Sequence, residues 1–137
     1  MVNYKFISDS VFEANGKNLK ELFENAAYAL SSFVCQIEQV KPEKAEEFQM
    51  RGYDLESTMT SFLGGLITII ATEKKFFSKF EVKEVNDKYV RFKMWGEPIK
   101  PELLKNALSS LDYSKYKLEK TKEGYKVIIG LKVLNEI

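Results

Sequence analysis

The feature that most constrains this chain is a charge-free run over residues 57–72. Its large apolar residues recur at steps of three and four, which is the spacing of one helix face. Asp54 can cap the first turn, and Lys74 and Lys75 suit the negative end of the helix dipole. The run is shorter than the ~20 apolar residues that a bilayer span needs. We therefore predict the buried central helix of a soluble domain. Its apolar set is Leu55, Met59, Phe62, Leu63, Leu66, Ile67, Ile69 and Ile70.

A pair of glycines, Gly64 and Gly65, interrupts this helix. Each glycine in a helix interior costs about 1 kcal/mol relative to alanine, so the pair needs an explanation. Close packing of a sheet against that face is one explanation. The loss of former functional side chains is the other.

Composition excludes several classes of function. The chain has 137 residues, enough for one domain over 1–137, and its formal net charge of +1 provides no global field for nucleic acid. It has no histidine, which excludes Ser–His and Cys–His catalysis and argues against zinc. The one cysteine, Cys35, excludes an internal disulfide; its apolar neighbours predict a buried thiol. No signal-peptide pattern follows Met1, so we expect a cytoplasmic protein.

The remaining pattern predicts two helices and several hairpins. A capping box at Asn18–Glu21 starts a helix that runs to about residue 36. We expect Gly96 to Pro98 to break a strand and Pro101 to begin a short helix reaching residue 108. The predicted strands cover residues 4–7, 11–14, 44–52, 77–85, 89–95, 113–121 and 125–134. This order predicts an α+β fold: a curved, mostly antiparallel sheet or partial barrel with two main helices packed on one side.

Few residues carry chemistry by themselves. Asp9 lies in a tight link between two strands, where a carboxylate commonly bonds its own backbone and less often binds a ligand or exchanges a proton. A basic strand next to Tyr113 and Tyr116 could touch RNA phosphate and stack a base, although Glu119 and Glu123 interrupt it. Its basic residues are Lys115, Lys117, Lys120 and Lys122.

Several motifs, taken in order, resemble the archease family. They are Tyr4 to Phe6 with Asp9, Phe12 to Lys17, Leu19 to Ala27, Asp54 to Glu56, Thr72 with Glu73, Phe77 to Val82, and the tetrapeptide Trp95 to Pro98. The resemblance implies a small α+β fold and an accessory protein that is not itself an enzyme. Archeases assist the guanylylation and turnover of the tRNA-splicing RNA ligase, and a chaperone-like effect on a tRNA methyltransferase is also associated with them.

The departures from that family fall mainly at polar positions. Of the family's acidic run before the first turn, only Asp9 remains, and Phe6 stands in the histidine place. Lys132 aligns with the carboxylate that helps to hold a divalent cation such as calcium. The candidate metal residues are therefore Asp9 and, if the tail folds back, Glu136. In the long helix, the family's tryptophan is replaced by Phe62, and its carboxylates are replaced by Ser61, Gly65 and Ala71.

The sequence thus supports a divergent archease whose metal site is weakened or lost. The RNA ligase or a tRNA-modifying enzyme is its expected partner, and no catalytic residue is predicted. Two alternatives stay open. One is a structural or small-ligand-binding module without an RNA role, and the other is a metal-dependent enzyme or sensor acting through Asp9. If Ser61, Gly65 and Ala71 lie far from Asp9, close packing explains the glycines better than an emptied site.

Overall fold

The computed structural model describes residues 2–134, which form two helices and seven strands. The helices are α1 (Leu19–Val34) and α2 (Leu55–Glu73). The strands are β1 (Tyr4–Ser8), β2 (Val11–Gly16), β3 (Lys44–Arg51), β4 (Lys75–Asn86), β5 (Tyr89–Pro98), β6 (Leu108–Thr121) and β7 (Gly124–Val133).

The strands form two open antiparallel sheets, in the orders β1-β2-β7-β6 and β3-β5-β4. In the first sheet the N-terminal hairpin joins the C-terminal hairpin, with Phe12 opposite Ile129. The predicted α+β fold is confirmed, but the strands are divided between two sheets instead of sharing one curved sheet. Hairpin signals specify pairing between neighbours in sequence, whereas the β2–β7 pairing joins the two ends of the chain.

Both helices contact both sheets, so the core lies between the helices and the two sheets. α1 contacts β2 and β7 of the first sheet and β4 of the second, and α2 contacts β6 of the first and β3, β4 and β5 of the second. The ring centroid of Phe62 on α2 lies 5.1 Å from that of Phe23 and 4.8 Å from that of Phe92. By length and composition α2 could also cross a membrane, but these contacts are those of a core helix.

Polar caps fix where the two helices begin. Asn18 Oδ1 accepts a hydrogen bond from Glu21 N at 2.9 Å. At α2, Asp54 Oδ1 accepts from Ser57 N at 2.8 Å, and Asp54 N donates to Ser57 Oγ at 3.1 Å. Both predicted helix starts are therefore confirmed, and each cap pairs backbone N–H groups that the helix itself leaves free.

Two predictions about local structure were wrong. Residues 101–108 do not form a helix, since only a 3₁₀ turn at Pro101–Leu103 is present. The segment after that turn is extended, and Leu104 forms an isolated bridge with Cys35. Nor does β5 break at Gly96, because it continues to Pro98. A Cβ at Gly96 would overlap the carbonyl oxygen of Phe76, so glycine allows β4 to approach closely there.

The two glycines of α2 face different surroundings. A Cβ at Gly65 would collide with the Met50 side chain of β3, whereas a Cβ at Gly64 would meet only Leu111 Cδ1, at 4.0 Å. Close packing against β3 therefore accounts for Gly65, and it does not account for Gly64.

This difference predicts opposite responses to alanine. Gly64→Ala should raise the free energy of unfolding by about 1 kcal/mol, because it gains helix propensity without a clash. Gly65→Ala should gain less or lose stability, because Met50 must move. Urea unfolding of both variants measures the difference. Equal stabilisation by the two variants would show that packing against Met50 is not the reason that position 65 is a glycine.

Candidate functional site

Asp9 lies in the turn between β1 and β2, as predicted, and its side chain is exposed. It lines a cavity of about 360 Å³ beside the C-terminal end of α1. Phe6 lines the same cavity, and its ring stacks on Phe33 at 5.7 Å between centroids. Phe6 therefore makes this part of the cavity lining apolar.

The floor of this cavity is the capped end of α1. Lys105 Nζ donates to the carbonyl of Ser32 at 2.8 Å, and Asn106 Nδ2 donates to that of Phe33 at 2.9 Å. The backbone N–H groups of Lys105 and Asn106 both donate to the carbonyl of Val34. These hydrogen bonds pair carbonyl groups that have no partner within the helix. The Lys105 ammonium also interacts favourably with the negative end of the α1 dipole.

Cys35 lies in the same region but is not a reactive thiol. Its side chain is buried, and burial is the main reason that its pKa is raised above the ordinary value. Sγ donates to the carbonyl of Ser31 at 3.3 Å. A thiol with a raised pKa is a poor nucleophile, so the buried structural role predicted for Cys35 fits its surroundings.

The residues around Asp9 do not fit a tight divalent-cation site. Asp9 and Glu38 are the carboxylates in this cavity, and no group of three or more His, Cys, Asp or Glu side chains suited to a metal occurs within residues 2–134. Calcium prefers six to eight oxygen ligands. Lys132 lies opposite Ser110 in the pairing of β6 with β7, and its charge acts on Asp112 of β6. The other candidate, Glu136, lies outside the described residues.

The three α2 positions proposed as an emptied site, Ser61, Gly65 and Ala71, do not line the Asp9 cavity. Gly65 faces Met50 of β3, and the Asp9 cavity contains no α2 residue among those described. Ala71 is exposed, near the end of the helix. Packing is therefore the better-supported explanation for Gly65.

The tetrapeptide at the end of β5, residues 95–98, joins neighbouring segments of the chain. We call the contacts of Glu97 with Lys41 and Lys100 the Glu97 latch. Glu97 is 3% exposed, and its carboxylate accepts from Lys41 N at 2.7 Å and pairs with Lys100 Nζ at 2.9 Å. The hydrogen bond from Lys41, followed by that from Lys100, holds the pKa of Glu97 below its ordinary value. The ammonium of Lys79 lies over the ring of the neighbouring Trp95, 4.5 Å from its centroid. The motif thus ties the end of β5 to the segments before β3 and after β5.

The basic face of β6 is partly neutralised. Lys117 Nζ lies 3.4 Å from a carboxylate oxygen of Glu119, which also pairs with Lys126 at 3.3 Å. Tyr116 donates its hydroxyl to the carbonyl of Glu56 at 2.7 Å, so it serves to join β6 to α2. Tyr113 remains 59% exposed, with its ring 6.4 Å from that of Tyr116. These contacts favour a structural role over a nucleic-acid platform.

A larger cavity of about 700 Å³ lies toward the other end of α1. It brings together Glu24 and Asn25 of α1 with Ser78 of β4, none of which sequence reasoning selected. One signal was available: Asn25 is a polar residue within the predicted apolar stripe region of α1, and in the structure it is 8% exposed. A buried amide on a core face indicates a specific hydrogen-bond role.

Comparison with known proteins gives a consistent family assignment. Residues 5–131 match the model described as the Archease protein family (MTH1598/TM1083). The protein archease of Pyrococcus abyssi is 32% identical over 127 residues, covering 89% of each chain. The protein archease of Methanosarcina acetivorans is 31% identical over 125 residues, covering 87% of this chain and 86% of its own.

Two solved structures share the fold. The solution structure of protein 1598 of Methanobacterium thermoautotrophicum matches with a TM-score of 0.78 and 21% identity, over 96% of this chain and 97% of the other. The crystal structure of a Thermotoga maritima protein, described as an archease and possible chaperone, matches with a TM-score of 0.61 and 17% identity, over 90% and 89%.

The Glu97 latch predicts how stability depends on pH. Because the pKa of Glu97 is lowered, its contribution is fully present above the ordinary glutamate pKa of 4.5 and is lost as pH falls through the folded-state value. Glu97→Gln should lower the melting temperature by several degrees near neutral pH and show a smaller deficit near about pH 3. Thermal unfolding at both pH values measures this.

Glu123→Gln is the matched control, because Glu123 is exposed in the turn between β6 and β7 and its substitution makes the same change in charge. If Glu97→Gln lowers the melting temperature equally at both pH values, the result would contradict the role of the charged carboxylate.

Proposed function

The chain belongs to the archease family, and we propose that it acts as an accessory protein, not a catalyst, that assists an enzyme of RNA processing. The observation that carries this proposal is the family match over residues 5–131, which spans both helices and almost all of both sheets. The description of the Thermotoga maritima relative as a possible chaperone points in the same direction. The expected partner is an RNA ligase or a tRNA-modifying enzyme, and a cytoplasmic location belongs to the same proposal.

An accessory protein acts through its surface, and two exposed apolar residues are next in sequence to residues that line the Asp9 cavity. Ile7 follows Phe6 of the cavity rim and is 49% exposed. Leu104 precedes Lys105 of the cavity floor and is 47% exposed. Exposed apolar groups next to a concave surface are typical of protein contacts. We place the partner contact here.

The test uses the purified tRNA-splicing RNA ligase of the same cell. The protein should bind the immobilised ligase and increase its rate of multiple-turnover guanylylation. The variant Ile7→Ser/Leu104→Ser should bind at least about tenfold more weakly, because interface truncations of about 1–2 kcal/mol are common. Tyr53→Ser is the control, since Tyr53 is 91% exposed at the start of α2, away from this surface. No binding and no change in rate would contradict the proposal.

We also propose that the metal site of the family is weakened or lost in this chain. The support is the residue set around Asp9: the two carboxylates of Asp9 and Glu38 do not provide the number of oxygen ligands that a hard cation prefers. Asp9 and Glu136 are the candidate ligands for any calcium that is held weakly.

Calorimetric titration with calcium and manganese tests this second proposal. We expect no binding in the micromolar range, because too few carboxylates are available. Asp9→Ala and Glu136→Gln serve as variants for any weak binding that is seen. Micromolar binding that Asp9→Ala abolishes would show that the site is intact.

A further inference from the structure

The larger cavity has the size of a small-molecule site. Its volume of about 700 Å³ lies within the usual range for ligand pockets. It is bounded by the first half of α1, by β4, and by the ends of β2 and β7. It lies at the opposite end of α1 from the Asp9 cavity, and neither the accessory function nor the family resemblance explains it.

Ser78 is placed in this cavity by an irregularity of β4. The pairing of β4 with β5 shifts register between Phe77 and Lys79, so Ser78 is the extra residue of a β-bulge. Bulges redirect a side chain and are over-represented next to functional sites. The buried Ser78 Oγ has no hydrogen-bond partner among the residues that the structure describes. Buried hydroxyl groups are almost always paired, which points to a ligand atom at this position.

Two side chains of α1 add hydrogen-bond acceptors. Asn25 Nδ2 donates to the carbonyl of Asn15 at 2.6 Å, which fixes the amide and leaves its own oxygen as an acceptor. Glu24 Oε2 accepts from Val82 N at 2.8 Å, and its other oxygen can accept a further bond. Burial is the main reason that the pKa of Glu24 is raised, and the hydrogen bond from Val82 and the charge of Lys20 oppose that rise without cancelling it.

The charged groups around Glu24 give the cavity a negative bias. Glu21 and Glu81 act on Glu24 with like charge, although Glu81 itself pairs with Lys83 at 3.0 Å, and Lys20 opposes them. Glu123 also lines the wall. The ammonium groups of the lining are those of Lys17 and Lys79. Lys79 Nζ, however, lies over the ring of Trp95. Aromatic rings complete the wall: Tyr28, Phe80 and Tyr125.

We propose that this cavity binds a small organic cation, with a primary ammonium or guanidinium group held by Glu24 and Ser78. The cation donates hydrogen bonds to the free carboxylate oxygen and to Ser78 Oγ, and its carbon chain packs against the ring of Tyr28 or Phe80. The same chemistry has two sources, a free amine or a Lys or Arg side chain of another protein. The proposal goes beyond the accessory function and is compatible with it.

The test titrates the full chain with 1,4-diaminobutane and with methylguanidine, followed by NMR of the backbone amides. We expect saturable shifts at Ser78, Asn25 and Val82. Glu24→Gln should weaken binding by about tenfold, because the variant keeps an oxygen for Val82 N but loses the charge. Glu102→Gln, an exposed carboxylate in another part of the fold, should leave binding unchanged. Binding should weaken as pH falls through the raised pKa of Glu24, since the carboxylate must be ionised.

Ser78→Ala separates a ligand role from a structural one. Because the hydroxyl has no partner among the described residues, its removal should leave the melting temperature unchanged or higher while weakening binding several-fold. A clear loss of stability in Ser78→Ala, or shifts that persist unchanged in Glu24→Gln, would overturn the proposal, as would no saturable shift with either cation.

A capped tripeptide, acetyl-Gly-Lys-Gly-amide, distinguishes the two sources. If diaminobutane binds and the peptide does not, the natural ligand is a free amine. If the peptide binds at least as tightly as diaminobutane, the natural ligand is a side chain of another protein. None of these measurements involves an RNA ligase, so their failure is distinct from failure of the accessory function.

Discussion

The contacts of Phe62 hold the two halves of the fold together. Its ring packs on Phe23 of α1 and on Phe92 of β5, and it is 1% exposed. Through these contacts α2 covers the second sheet while it also contacts β6 of the first. An open sheet with one uncovered apolar face is not stable alone, so each sheet depends on the helices for burial. Position 62 is therefore a core position.

Because α2 fixes the core, α1 can present its two ends to different surroundings. Its first half carries Glu21 and Glu24 beside the larger cavity, and its last turn is capped by Lys105 and Asn106 beside Asp9. Neither cavity requires a change in the packing of Phe62. Side chains at the two cavities can therefore diverge while the framework is retained, since distant sites couple weakly.

The elements that local patterns specify were predictable from the sequence. The α2 stripe, the caps at Asn18 and Asp54, and the hairpin around residues 86–88 need only neighbouring residues, and the structure contains them. The division into two sheets was not predictable in this way, because it depends on the pairing of β2 with β7. The turn after Pro101 also escaped prediction, since the residues that follow it are held by the end of α1. The candidate site shows the same limit more strongly. Ser78 was missed because its cavity is formed by α1, β2, β4 and β7 together. The spacing of residues along the chain does not show that these elements lie side by side.

Phe6 determines much of the chemistry of the cavity beside Asp9. A histidine there could donate, accept or coordinate, whereas Phe6 packs on Phe12 and Phe33 and has no such capacity. Phe6 adds apolar area to the cavity lining, and Ile7 and Leu104, each next in sequence to a lining residue, are exposed. Apolar area favours burial by another protein surface and provides no ligand atoms for a cation. The physical chemistry of this end thus favours contact with a protein over coordination of a metal.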